Sequence, residues 1–180
     1  RSLKFTEAEN KEAKQFLKRI GSYNKFVCLN IRDSAYLRKS FPEIDFTSHD
    51  YRDSDISNYK KAVEYLLDND YFVIRMGKVV EKSLDINHSN FFDYAVSSLK
   101  SDFLDIWLMS NCNFCISTSN GLDEISDIFR RPISYVNALP IGNFSSWNKG
   151  CIWTPKTIVT KDDLRPLSLN ELIETGLIGM

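Results

Sequence analysis

The run Ser117-Thr118-Ser119-Asn120-Gly121 sets four hydrogen-bonding side chains in a row ahead of a glycine. An apolar, strand-like stretch (Asn113 to Ser117) precedes it and a helix-like one follows. A polar turn at a strand's carboxyl end that opens a helix offers backbone N–H groups and hydroxyls, which suit a phosphate or diphosphate. A helix cap alone needs one Ser, Thr or Asn. Asp123 and Glu124 fall in the first turn of that helix, where an acid favours the helix dipole but repels a phosphate it faces. Either acid could instead accept a hydrogen bond from a sugar or ribose hydroxyl.

Two arginines stand at matching places. Arg32 ends the apolar run KFVCLNIR and Arg75 lies near the end of YFVIRM. As parallel strands of one sheet, these runs would bring both guanidiniums to the crevice beside residues 117–121. An arginine fork binds phosphate oxygens bidentately, at roughly 1.5–3 kcal/mol per charge-assisted bond. The plainer alternative is that each pairs with a nearby acid such as Asp33 or Asp102. Gly77 suits a turn with unusual backbone angles, and Lys78 beside it is a free cation. No G-x-x-x-x-G-K-[ST] occurs, so this is not a P-loop.

His49 sits in the polar stretch His49-Asp50-Tyr51-Arg52-Asp53-Ser54-Asp55. It is the candidate general base, with an ordinary pKa of about 6.5, and Arg52 is a further anion contact. The same stretch also reads as plain solvated loop, and His88 as a solvated side chain. Asp102 fits a helix cap better than a ligand contact. Trp107, Trp147 and Trp153 read as core or as packing beneath a loop, with Trp147 alternatively stacking on a base.

The elements that must hold these residues follow from periodicity. Thr6 to Ile20 reads as a helix, with Thr6 as cap, Glu9 as its capping-box partner and Gly21 as its end. Residues 25–32 form the first buried strand, followed by a long polar segment from Asp33 to Ser54. Such a length is unusual without a functional role. Ser54 or Asp55 caps a helix running to about Asp68, and residues 71–76 form the second strand. Residues 79–98 are ambiguous, with a short strand near 92–95. From Ser101 or Asp102 come helix, strand, the polar turn, helix and a strand ending at Asn137. A Pro/Gly/Asn/Ser-rich loop to Gly150, a strand at 151–153 and a helix from Ser168 complete the chain. Strands alternating with helices predict an α/β fold: a Rossmann-like open parallel sheet with helices on both faces.

Composition narrows the class. The chain has 180 residues, 43% hydrophobic and 26% charged, a globular profile sufficient for one core. A formal net charge of -1 gives no basic field for nucleic acid. No apolar run approaches the roughly 18 residues of a membrane span. Cys112 and Cys115 form C-x-x-C, but three residues apart on a strand they would face opposite ways. With Cys28 and Cys151 they read as buried thiols of a reducing cytosol, not as a metal site. In that setting the sequons at Asn87 and Asn143 are chance.

Taken together, FVCLNIRDSAYLR (26–38), HDYRDSDISNY (49–59), VIRMGKVVEK (73–82), SDFLDIWLMSNCNFCISTSNGLD (101–123) and RRPISYVNALPIG (131–142) resemble a family of bacterial glycosyltransferases linked to surface-polysaccharide synthesis. The stretch from Asp105 to Val136 is also similar to the donor-binding half of GT-B glycosyltransferases. The resemblance implies a single domain over 1–180, the carboxyl-terminal half of a longer two-domain protein whose amino-terminal domain is missing. It implies a nucleotide-diphosphate sugar as donor substrate, no separate cofactor and no metal. The expected acceptor is a glycan or lipid-linked sugar, and the expected place is the cytoplasm, free or peripheral at the inner membrane. In fucosyltransferase-like members an H-x-R-type motif contacts the diphosphate, and here Asn30 stands where that His would be. Asp53-Ser54-Asp55 matches D-x-D in form but fits a helix cap. The phosphate contacts expected are thus Arg32, Arg75, Gly77, Lys78 and residues 117–121, with Asp123 beside them. Two other readings remain open: a nucleotide- or sugar-phosphate-binding module without turnover, and an interaction domain presenting the 33–54 loop.

Overall fold

The computed structural model describes residues 3–21, 25–144 and 147–179. Ser145 and Ser146 of the Ser-rich loop lie outside the described residues. Helix α1 (Glu7–Arg19) starts at Thr6, whose hydroxyl accepts from the Glu9 N–H while the Glu9 carboxylate accepts from the Thr6 N–H. Ala13, Phe16 and Leu17 turn inward, and Gly21 ends the helix in the left-handed region at φ +88°.

Six parallel strands form one open sheet: β1 (Phe26–Asn30), β2 (Phe72–Arg75), β3 (Phe91–Phe92), β4 (Phe114–Ser117), β5 (Ile133–Ala138) and β6 (Cys151–Pro155). Their order is β3-β2-β1-β4-β5-β6, the Rossmann-like arrangement. All five residues of β1 are buried, as a central parallel strand covered on both faces requires. Phe26 and Cys28 join Phe72, Ile74 and Met76 in one core, under α1 and α4 (Asp102–Asn111). Val27 and Leu29 join Val73 in the other, under Val63, Leu66 and Leu67 of α3 (Lys60–Asp68).

Several elements differ from their expected form. The 33–54 segment is not one loop: it holds α2 (Ala35–Ser40) and a 3-10 turn at Thr47–Arg52. Asp33 and Asp45 start them by accepting from the Ala35 and Thr47 N–H groups two residues on. Asp55 does cap the next element, but that element begins as a 3-10 turn, Ile56–Tyr59, before becoming α3. Ser101, not Asp102, caps α4. Cys112 lies at the end of α4 rather than in a strand, so it shares a core with Cys115 and Cys28 instead of facing away. Burial pushes the Cys28 and Cys115 thiols up, which suits inert packing. Among the described residues no cluster could hold a metal ion, and no helix is long and apolar enough to cross a membrane. At the far end, α6 (Leu169–Glu174) is capped by Ser168 and buries Leu172.

Strand β3 is two residues long because Asp93, directly after it, is taken into the interior. Its Oδ2 accepts from Arg75 Nη1 at 3.0 Å and from the Leu84 N–H at 2.9 Å. Arg75 is 1% exposed and also donates to the Lys82 carbonyl. Removing one partner of a buried ion pair strands the other charge. Asp93→Ala should therefore destabilise the fold by about 3–5 kcal/mol in urea unfolding, far more than an exposed pair. Gly77, at φ +149°, allows the chain to turn where a Cβ would stand 2.7 Å from Val80 Cγ1. Gly77→Ala should cost about 1–3 kcal/mol in the same measurement.

Candidate functional site

Strand order reverses between β1 and β4, and an α/β sheet opens a crevice at the carboxyl ends flanking such a reversal. Here the crevice has a volume of about 500 Å³, within the roughly 300–1,000 Å³ of small-molecule sites. A groove of about 660 Å³ is larger, but it runs along α1 away from any strand end and is lined only by that helix. Residues after β1 (Ile31, Arg32), after β2 (Gly77, Lys78) and after β4 (Asn120, Gly121) meet in the crevice. Tyr36, Val79, Val80 and Ile106 give it an apolar side.

The polar turn is built differently from the expected cradle. Ser117 and Thr118 are fully buried and act as scaffold. The Ser117 hydroxyl donates to Asp123, and the Asn120 N–H donates to the same carboxylate at 2.9 Å. Thr118 Oγ1 accepts from the Arg32 N–H at 2.9 Å. Asn120 Oδ1 accepts from the Asn30 side chain at 2.7 Å and from the Leu122 N–H at 3.1 Å. Helix α5 (Asp123–Ile128) then starts from Leu122 with no side-chain cap, and is under two turns long. Of the N–H groups expected to face a phosphate, those of Thr118 and Asn120 are thus bonded from within, the first to the Asn30 carbonyl at 3.4 Å, while those of Ser119 and Gly121 have no protein partner among the described residues. Ser119 takes φ +63°, and Arg52 Nη2 donates to its carbonyl at 3.1 Å. Gly121 remains at the crevice mouth, where a Cβ would meet nothing within 4 Å.

Of the two arginines, only Arg32 lines the crevice. Its Nε is held by Asp53 Oδ1 at 2.9 Å, which leaves Nη1 and Nη2 without a protein hydrogen bond among the described residues. Arg75 does not converge with it, because burial and Asp93 hold that guanidinium inside the sheet's edge. Lys78 lines the crevice but is not free: its Nζ lies 3.0 Å from Asp102 Oδ1, both groups exposed. His49 is exposed on its 3-10 turn, packs beside Phe46 and does not reach the crevice. The turn that carries it is nonetheless fastened to the site. Besides the Arg52 bond, the Ser54 N–H donates to the Arg32 carbonyl at 3.0 Å, and Lys156 beyond β6 donates to the Tyr51 and Asp53 carbonyls.

Two crevice residues were given no role by the sequence. Asn30 stood out only as the residue where an H-x-R pattern would have its histidine, and its bond to Asn120 locks β1 to the turn after β4. Asp105, on α4, lines the crevice with Oδ1 unpartnered among the described residues, and burial pushes its carboxyl up. Its position one turn into α4, facing the switch point, follows from packing and not from spacing. Comparison with protein-family models, with characterised proteins and with solved structures finds no match.

Asp123 carries a pH signature. Burial raises its carboxyl from an ordinary 3.8 to about 6, against the lowering effect of the Ser117 and Asn120 hydrogen bonds. Between those values the folded state keeps a proton that the unfolded chain releases, so this group's contribution falls as pH rises from about 4 to about 6. Asp123→Asn cannot ionise and should escape the fall. Its stability relative to wild type should improve between pH 4 and pH 7, by at most about 3 kcal/mol at 1.36 kcal/mol per unit. Urea midpoints across that range give the difference directly.

Proposed function

We propose that the crevice binds the nucleotide diphosphate of a sugar donor, and that the chain is the donor-binding domain of a metal-independent glycosyltransferase of surface-glycan synthesis. The observation that carries this reading is the pair of cations, Arg32 and Lys78, flanking an unobstructed Gly121 at the switch point of a Rossmann-like sheet. Their side chains add full positive charges to the partial ones of the turn's remaining N–H groups. The apolar wall of Tyr36, Val79, Val80 and Ile106 offers a surface for the nucleoside.

In this reading an acceptor hydroxyl attacks the anomeric carbon while the bond from that carbon to the diphosphate oxygen breaks. The diphosphate leaves with the electron pair, and its developing charge faces Arg32 and Lys78. Asp33 on the crevice wall already accepts from the Ala35 and Glu81 N–H groups. Asp105 does not share that engagement, and it takes the acceptor's proton in place of His49. The acceptor is a glycan or lipid-linked sugar, presented by a second domain of the same protein.

Thermal unfolding against UDP, GDP, ADP, CMP and their sugar conjugates tests the site. A ligand at 100 times its Kd adds about 2.7 kcal/mol, or roughly 5–10 °C for a chain this long. One nucleotide should raise the Tm selectively. Gly121→Val should unfold like wild type, since its Cβ has open space, yet lose about tenfold or more in affinity by filling the crevice. No shift with any nucleotide would overturn the donor-site reading. A shift that survives in Gly121→Val would put the ligand elsewhere.

A further inference from the structure

Across the Asn120-Gly121 turn from the crevice lies a second cleft of about 230 Å³. Its walls come from separate segments. Tyr135 on β5 and Trp153 on β6 are register partners, with rings stacked at 3.7 Å and 11°. Phe144 stacks on Trp153 as well, at 4.1 Å and 22°. Both faces of Trp153 are thereby covered, and its ring edge is what the cleft receives. Trp147 is 66% exposed and donates from Nε1 to Asp127 Oδ2. Arg52 and Glu124 also line it.

Three buried polar atoms of these residues have no hydrogen-bond partner among the described residues: Arg52 Nε, Trp153 Nε1 and Asp127 Oδ1. Arg130 approaches that last oxygen only to 3.7 Å. Buried polar atoms are nearly always paired, so three around one cleft are unusual. The set contains two donors and one acceptor, and the exposed Glu124 carboxylate adds further acceptors. Arg52 and Arg130 at most balance the two carboxylates, so the cleft holds no net positive charge for a phosphate. A polyhydroxy ring answers all three features: its hydroxyls donate and accept, it carries no charge, and its C–H face packs against an indole.

We propose that this cleft is a pyranose subsite, in which Glu124, Asp127 and Arg52 bond the hydroxyls and Trp147 offers the stacking face. The inference rests on the donor-site reading only for where the sugar comes from. Asn120 and Gly121 line both hollows, so a diphosphate in the crevice can carry its sugar over Gly121 with no side chain in the path. A sugar of the acceptor has the same chemistry and fits the same groups.

Calorimetric titrations separate these sources. The proteins are wild type, Glu124→Gln and Trp147→Leu, both changes at exposed positions, with matching Tm values as the check on folding. The probes are UDP, GDP and ADP, their glucose, galactose, N-acetylglucosamine and mannose conjugates, and the matching methyl pyranosides. For a donor sugar, both variants weaken a nucleotide sugar by about tenfold, the scale of one hydrogen bond, and leave its parent diphosphate unchanged. For an acceptor sugar, both variants weaken a methyl pyranoside by a like factor and leave every nucleotide unchanged. The proposal is overturned when neither class of sugar probe is weakened, whether or not the diphosphates bind. The donor-site reading fails separately, when a pyranoside binds wild type and no nucleotide does.

Discussion

Parallel strands cannot be joined by hairpins, and their crossovers keep one hand. From that constraint the rest of this molecule follows. Leaving β1, the chain moves toward β2 over the face packed by α3; returning to β4 and on to β5, it moves the other way over the face packed by α4 and α5. Strand β1 is therefore covered twice and wholly apolar up to Asn30. The carboxyl ends of β1 and β4 part company without a connection between them. Asn30 and Ser117 are register partners, so the residues that follow each of them face one another across that gap.

Competition for backbone N–H groups decides how the gap is charged. Asp123 takes the Ser117 hydroxyl and the Asn120 N–H, and Asn120 in turn takes the Leu122 N–H. The turn is braced from within at Ser117, Thr118 and Asn120, with a buried acid at its centre. Positive charge reaches the crevice from the rim instead, on Arg32 and Lys78, each now held by an acid, Asp53 or Asp102. The Lys78–Asp102 pair is exposed and therefore weak, so an anion can compete for that lysine, while Arg32 keeps Nη1 and Nη2 open to it.

The sheet was legible because burial on both faces leaves unbroken apolar runs, FVCLN and FVIR, between polar breaks. That the polar turn would border the crevice was legible too, since Ser117 to Gly121 must lie at a strand's carboxyl end. The roles within it were not. Arg75 and Arg32 look equivalent in sequence, and only the partner brought in from Asp93, across a loop with no periodicity, makes one structural. Four capping residues in a row concealed that Asp123 would occupy two of them, Ser117 and Asn120. Cys112 reads as in or beside the strand because only it and Asn113 separate helix from strand, where periodicity has no window to act. The second cleft draws on five separated segments, a grouping that only tertiary packing creates.

The segment around the 3-10 turn at Thr47–Arg52 looks peripheral, yet it is anchored at the ends of three different strands. Arg32 holds it from beyond β1, Ser119 from beyond β4 and Lys156 from beyond β6. Such a segment opens as one cooperative unit, since releasing any single anchor leaves the other two in place. Its amides should exchange with solvent water together, at the pace of a sub-global unfolding event. On that timescale the second cleft would gain and lose the wall that Arg52 supplies, and the crevice's Arg32 would gain and lose the carboxylate of Asp53 that holds it.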